Sequence, residues 1–469
     1  MSMTPRSLYS PVEILSRADA EDIAKRALKA SPAEETRVSI NSAARADTRF
    51  ALNQVTTSGE NRDVTVTITA RVGERSASVT TNRLDDASLA EAARQATDIA
   101  KLVPPNPERM PELGPQEYPS PRSRVISLPT PAERAQAAKK VTDQARAKGL
   151  VATGFIECRA GATAFANTKG LFAYDSTAVV TMTATVRTAD GTGSGWACSD
   201  GDTFADIDAQ RVGAVASDKA LNSRSPVAIE PGRYVTILEP TAAGNLVQLI
   251  LGSMQARGAD EGRSFFSKPG GGNKIGMKVV DERVTLLTDP EDSPSTNGGF
   301  DADGFPLEKV VWIENGVVKN LNYDRFWAQK QGKAPTRAGI GGGFGGGFGG
   351  GGRALRMIGG TATTAEMIRS TERGILVTRF WYIRPVDPRT LLYTALTRDG
   401  TFLIENGAVS HPIKNFRINE SPIFFLNNLE SLGPTIRVNA SEALGAGGAT
   451  YMPTIKVKEF TFSSLSDAV

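Results

Sequence analysis

The chain predicts an α+β protein of two domains. A helix and antiparallel-sheet domain is expected over residues 1–225, and a strand-rich domain with a curved or barrel-like sheet over 226–469. Three observations carry this reading. In the first half, helical periodicity takes turns with alternation of apolar and polar residues. In the second, many short apolar runs are separated by glycine and Asn-Gly turns, the pattern of a closed or strongly curved sheet. Between the halves, residues 226–232 hold prolines and a glycine and read as a linker. At 469 residues, 40% hydrophobic and 22% charged, the chain is long enough to give each half its own core.

The elements follow in order. Ile23, Ala24, Ala27 and Leu28 fall at helical spacing over 21–30, with Ser16 or Asp19 available as a cap. Residues 38–44 and 64–72 alternate as half-buried strands do. A second helix over 87–102 places Leu89, Ala92, Ala93, Ala96 and Ile99 on one face. Prolines at 104, 105, 107, 111, 115, 119 and 121 then impose an extended connector. Pro131 suits the first position of a third helix running to about 148. Strands resume over 151–186, and a fourth helix is expected over 204–221. In the second half, 234–238 reads as a strand and 241–255 as an apolar helix carrying Leu246, Leu249, Ile250 and Met254.

Two features of the second half are unusual. The sequence Ile-Glu-Asn-Gly occurs at 313–316 and again at 404–407, each time between apolar runs. Asn-Gly supplies the two positive-φ residues of a tight hairpin, so the repeat predicts two equivalent hairpins of one sheet. Asp399-Gly400 likewise reads as a turn. The tract 339–352 is almost entirely glycine, interrupted by Ile340, Phe344 and Phe348. It lacks the Gly-Lys-Ser/Thr ending of a phosphate loop. Its backbone entropy argues for a flexible loop, while Phe344 and Phe348 could anchor it as an interface or groove element.

Composition excludes several functions. A net charge of +3 and the lack of any dense Lys/Arg run give no case for a nucleic-acid surface. The longest apolar stretches, such as 246–251, are too short to span a bilayer. The first residues show no basic start followed by an apolar segment, so a cytoplasmic location is expected. The single histidine, His411, stands in a turn-like stretch beside Pro412, and cannot supply a two-histidine zinc site. Cys158 and Cys198 are isolated and read as buried, reduced thiols. The acidic residues Asp289, Glu291, Asp292, Asp301 and Asp303 invite a metal reading. Yet Gly304 and Trp312 fall at the wrong places for a calcium loop, and a solvated acidic loop is the simpler expectation. A carboxylate pair acting as a metal-independent hydrolase is the rival reading of these acids.

The second half also carries a family resemblance. Asp289-Pro290, the run 300–304 (Phe-Asp-Ala-Asp-Gly), Ile-Glu-Asn-Gly at 313–316, Tyr323-Asp324, the run 373–381, the segment 402–407 and the run 411–414 match in order and spacing. Over 234–462 the chain thus resembles the TldD/PmbA family, peptidase-like proteins also called modulators of DNA gyrase. The resemblance implies that TldD-type members hold zinc with His-Glu-x-x-x-His on a helix and a later cysteine. The corresponding helix, opening at Pro240, has no histidine or glutamate, and the segment 442–453 has no cysteine. The chain is therefore similar to the PmbA (TldE) type, which lacks the zinc motif.

What this implies is a non-catalytic, metal-free subunit of a TldD/TldE-type heterodimeric metallopeptidase. It would have no catalytic or metal-binding residues of its own; zinc is expected on a TldD-type partner, and unfolded or precursor peptides as substrate. A peptide groove is expected beside the strand Ile375, Leu376, Val377, Thr378, Arg379 and Phe380, whose pattern an ordinary core strand would also give. The alternative is a stand-alone homodimeric peptide-binding or regulatory protein.

Overall fold

The computed structural model describes residues 14–119, 128–292, 298–339, 354–440 and 449–466. Six long strands of the first half, β1 (Glu35–Ala51), β2 (Gln54–Val72), β3 (Arg75–Thr81), β4 (Leu150–Asn167), β5 (Phe172–Thr188) and β6 (Ser194–Gly201), form one antiparallel sheet in the order β3-β2-β1-β4-β5-β6. Helices α1 (Arg17–Ala30), α2 (Asp86–Leu102), α3 (Pro131–Ala147) and α4 (Ala209–Asn222) cover one face. Along β1, Ala44, Ala46 and Phe50 turn toward the helices. Arg45, Asp47 and Arg49 alternate onto the opposite face, as the two-residue period requires. Ser16, one of the two expected candidates, caps α1 by accepting the Asp19 N–H at 3.1 Å, and Pro131 opens α3 as expected, with Thr130 and Glu133 forming a capping box ahead of it.

Two boundaries differ from the sequence reading. Both β1 and β2 are far longer than 38–44 and 64–72. Residues 54–63 of β2 are polar and exposed, so nothing there alternates, while β1 runs on through buried Ala46, Thr48 and Phe50, of which the first two are too small or too polar to give an apolar signal. The fourth helix opens at Ala209 rather than 204. Residues Phe204–Asp206 make a separate 3₁₀ turn, and Asp208 accepts the Arg211 N–H at 2.9 Å as the helix cap.

The second half begins with β7 (Gly232–Leu238), α5 (Pro240–Ser253) and α6 (Ala256–Asp260). It continues with β8 (Leu286–Thr288), β9 (Val310–Glu314), β10 (Val317–Val318), α7 (Arg325–Lys330), β11 (Leu355–Met357) and α8 (Thr364–Arg369). Then come β12 (Arg373–Asp387), β13 (Leu392–Glu405), β14 (Ala408–Pro412), β15 (Phe416–Glu420), α9 (Pro422–Asn427), β16 (Leu429–Leu432), β17 (Ile436–Val438), β18 (Thr450–Met452) and β19 (Ile455–Leu465). Strands β12, β7, β19, β15 and β13 pair in that order, and β13 pairs again with β12, closing a five-strand barrel. The expected barrel-like sheet is thus present. A second sheet, β10-β9-β8-β11-β18-β17, stands beside it.

The barrel interior is solid. Phe380, Phe416, Phe460 and Phe462 are fully enclosed, with ring centroids 5.8 Å (Phe380–Phe460), 5.3 Å (Phe460–Phe462) and 5.1 Å (Phe416–Phe462) apart. Each such ring contributes on the order of 2 kcal/mol of burial, and together they leave no channel. On the outer face, Ile237, Leu376, Phe402 and Ile404 are covered by Met367 of α8.

Both Asn-Gly hairpins form, with nearly the same backbone: φ is 48° and 77° at Asn315 and Gly316, and 52° and 76° at Asn406 and Gly407. They do not belong to one sheet, however. The first is β9–β10 of the second sheet, the second β13–β14 at the rim of the barrel. A turn sequence fixes a local shape and is blind to which sheet receives it. Asp399-Gly400 is not a turn. It lies inside β13 as a bulge, with φ of 55° and 121°, opposite a register shift between Val377 and Arg379. His411 is likewise strand rather than turn: it pairs with Leu403, and its Nδ1 lies 2.9 Å from the Ser410 hydroxyl. Among the described residues, no helix is long and apolar enough to cross a membrane.

Candidate functional site

The chemistry of interest centres on α5. Its sequence is apolar on nearly every side, so it is an interior helix rather than an amphipathic one. Pro240 sits at its first position, where the missing N–H costs nothing. The Glu239 N–H donates to Val377 O at 3.0 Å, fixing the helix start to β12, and the Glu239 carboxylate pairs with Lys219 of α4.

Three residues of α5 meet the stretch after β17. Gly244 packs so closely that a Cβ there would stand 2.9 Å from the Ala440 Cβ and 3.4 Å from Met452 Cγ. Asn245, 1% exposed, donates to Ala440 O at 2.8 Å and accepts the Phe380 N–H at 3.0 Å. Gln248 donates to the same Ala440 oxygen at 2.8 Å. Two neutral amides and a glycine therefore lock α5, β12 and the 438–440 stretch together. Gly244→Val is expected to cost about 1–3 kcal/mol through overpacking, read as a lower midpoint in urea unfolding. An unchanged midpoint would mean that the helix can back away from Ala440.

This junction does not fit zinc. A catalytic zinc ion needs three imidazole, thiolate or carboxylate ligands around an open position. The side chains here are amides, small apolar groups and the Thr241 hydroxyl. Cys198 of β6 is nearby, but burial pushes its thiol above the ordinary range, against the opposing hydrogen bonds of the Asn439 backbone and the Thr241 side chain. Burial therefore favours the neutral thiol here. Cys158, enclosed in the core of the first sheet, is pushed up to about 12 by the same effect. Both cysteines are free thiols, as the sequence suggested.

A charged seam joins the first sheet to the barrel just outside this junction. The bulge aims the fully buried Asp399 carboxylate at the Ser194 hydroxyl (2.6 Å) and at Arg379, whose Nε stands 2.8 Å away. The Arg379 guanidinium also lies over Trp196 of β6 (4.8 Å) and Trp381 (5.6 Å). Below it, Arg437 beside β18 bridges Asp200 and Asp202, both at 2.6 Å.

The residues singled out from sequence are placed as follows. Ile375, Leu376, Val377, Thr378, Arg379 and Phe380 are all buried in β12, which pairs with β7 on one side and β13 on the other. Ile375, Leu376 and Val377 are held by ladders on both sides; β7 pairs only as far as Val377, and beyond it the Asn245 side chain takes the Phe380 N–H. Phe344 and Phe348 lie outside the described residues. Three of the acidic residues are drawn into separate ion pairs rather than solvated as a cluster. Asp292 takes a two-pronged contact from Arg356 (2.7 and 2.8 Å), Asp289 pairs with Lys309 (3.3 Å), and Asp303 lies 3.5 Å from Arg37. Asp301 accepts the Asp303 and Phe305 N–H groups, both at 2.9 Å, and burial raises its pKa. Among the described residues, no group of three His, Cys, Asp or Glu could hold a metal ion.

A cavity of about 260 Å³ opens on the outer wall of the barrel near Lys456 and Arg373. The Lys456 ammonium has no proton to spare for a ligand: it donates to Ser370 O (3.1 Å) and Ser370 Oγ (2.9 Å) and pairs with Glu430 (2.8 Å).

Sequence models of the PmbA/TldA metallopeptidases match three stretches of the chain: domain 1 over 37–100, the central domain over 125–224 and the C-terminal domain over 231–464. A metalloprotease of Methanothermobacter thermautotrophicus is 24% identical over 242 residues, 49% of each chain. A metalloprotease TldD homolog of Buchnera aphidicola is 25% identical over 235 residues, 50% of this chain and 45% of its own. The chain thus spans about half the length of these relatives. The crystal structure of TldE from Thermococcus kodakarensis has the same fold, with a TM-score of 0.81 at 19% identity, covering 95% of this chain and 99% of that one.

Proposed function

Because this chain belongs to the PmbA/TldA metallopeptidase family, we propose that it is a metal-free, non-catalytic subunit that pairs with a zinc-bearing TldD-type chain and helps present unfolded or precursor peptides to the partner's active site. The observation that carries this reading is the junction between α5 and Ala440. Where the family resemblance calls for zinc ligands on a helix, this chain has Gly244, Asn245 and Gln248 in direct contact with Ala440, just past β17. Rebuilding three ligands there would require removing the two amides that hold the helix in place. The only histidine, His411, stands on β14 and is not part of α5. A cytoplasmic location belongs to the same proposal.

The test is to purify the chain alone and together with a His-Glu-x-x-x-His-bearing chain from the same organism, then measure zinc content and cleavage of an unfolded peptide. The expected result is no stoichiometric zinc and no cleavage for the isolated chain, and chelator-sensitive cleavage for the pair. Zinc-dependent cleavage by the isolated chain would overturn the proposal. A stable homodimer that ignores every such partner would favour the stand-alone reading.

A further inference from the structure

Arg398, on the outer face of β13, is the one member of the seam that its surroundings leave unfinished. Its side chain makes no hydrogen bond with any described residue, and its Nε is enclosed without an acceptor. Its nearest carboxylate, Asp399, is 3.7 Å from that nitrogen and already receives Arg379 and the Ser194 hydroxyl. A quarter of the Arg398 side chain remains open to solvent.

The neighbours concentrate positive charge there. Arg379 stands directly opposite Arg398 in the β12–β13 ladder, so both side chains leave the barrel on the same face. Arg187 of β5 is paired with Ser194 and faces the same seam. Burial, Arg379 and Arg187 hold the Arg398 guanidinium below its ordinary range despite Asp399. Arginine does not give up its proton in this setting, so the strain is that of a half-buried cation short of an anion. Trp381 lies beneath, its ring 5.1 Å from the Arg398 guanidinium, and the exposed Tyr382 follows it along β12.

We propose that Arg398, over Trp381 and beside Arg379, is a carboxylate-recognition site that takes the free C-terminus or an acidic side chain of an extended peptide. A guanidinium offers a planar fork of donors that matches a carboxylate, and the indole provides a flat apolar floor for the adjoining chain. The wall lies outside the closed barrel, so a ligand reaches it without opening the β12 ladders. This inference rests on the peptide-handling role proposed above and gives it a preferred substrate class.

The probes are two pairs of short peptides: acetyl-triglycine as acid and as amide, and acetyl-Gly-Asp-Gly-amide with its Asn counterpart. Binding to the full chain is followed by tryptophan fluorescence, to which Trp381 and Trp196 respond. At least one acidic member is expected to bind about tenfold more tightly than its neutral counterpart. Preference within the first pair identifies the C-terminus, and within the second an acidic side chain. Arg398→Gln should abolish the preference while the unfolding midpoint moves only slightly, since its side chain bonds no described residue and its ion pair with Asp399 is long at 3.7 Å; Arg398→Lys should keep only part of it. Equal binding of acidic and neutral members, no binding by any of the four, or a preference that survives Arg398→Gln would each overturn the site. The peptide role is judged separately by cleavage with the zinc-bearing partner. Cleavage that proceeds without acidic preference sinks this site alone.

Discussion

Replacing Asp399 by alanine is expected to lower stability by about 3–5 kcal/mol, the range for breaking a buried pair while leaving its cation behind. Arg379 is one-tenth exposed, with two nitrogens on this one carboxylate, and truncation would strand it between Trp196 and Trp381. The Ser194 hydroxyl would lose its acceptor at the same time. Because the carboxylate joins β13 to β6, the loss should appear in both halves of the molecule. Urea unfolding followed by tryptophan fluorescence reads it directly, and a cost under about 1 kcal/mol would show that the seam is ornamental.

The same group sets a pH dependence. Burial alone would raise the Asp399 pKa, but Arg379, the Ser194 hydroxyl and Arg398 together outweigh it and hold the carboxyl below its ordinary range. A depressed native pKa means that the unfolded chain binds the proton first. The stabilisation is therefore complete above the unfolded value of about 3.9 and is lost as pH falls through the native one. The gap between the native chain and Asp399→Ala should stay constant near neutrality and narrow only under strongly acid conditions. A gap that is the same at pH 7 and pH 3 would contradict this.

Asn245→Ala is the second large effect, expected at about 2–3 kcal/mol. Its carbonyl is the acceptor of the Phe380 N–H, a buried group that no water can reach to replace it. Ala440 O is less exposed to the change, because Gln248 still donates to it. The asymmetry makes the outcome specific: exchange of the Phe380 amide should accelerate more than that of its neighbours along β12. Uniform acceleration across the strand would mean that the helix has left the barrel as a body.

The parts of this architecture that sequence discloses are those governed by periodicity. The helices of the first half, the strand-rich second half and the positive-φ pairs at Asn315-Gly316 and Asn406-Gly407 all follow from local chemistry. The parts it hides depend on distant partners. Asp399-Gly400 looks like a turn because both residues tolerate positive φ, and only the Arg379 ladder opposite reveals the bulge. Asn245 and Gln248 look like ordinary polar interruptions of an apolar helix. Their meaning comes from a carbonyl at 440, nearly two hundred residues away. Arg398 belongs with them, since only the register that sets it opposite Arg379 shows that the two guanidinium groups share one face. The acidic residues around 289–303 misled through proximity along the chain: Asp289, Asp292 and Asp303 are claimed by cations from elsewhere, and Asp301 by backbone N–H groups.

Closing β12 onto β13 leaves the five-strand ring with no outermost member. Detaching any one of its strands tears two ladders simultaneously and exposes the stacked phenylalanines within. Fraying therefore has nowhere to begin, and this half of the molecule should yield all at once, at a load set by its circumference rather than by its weakest strand.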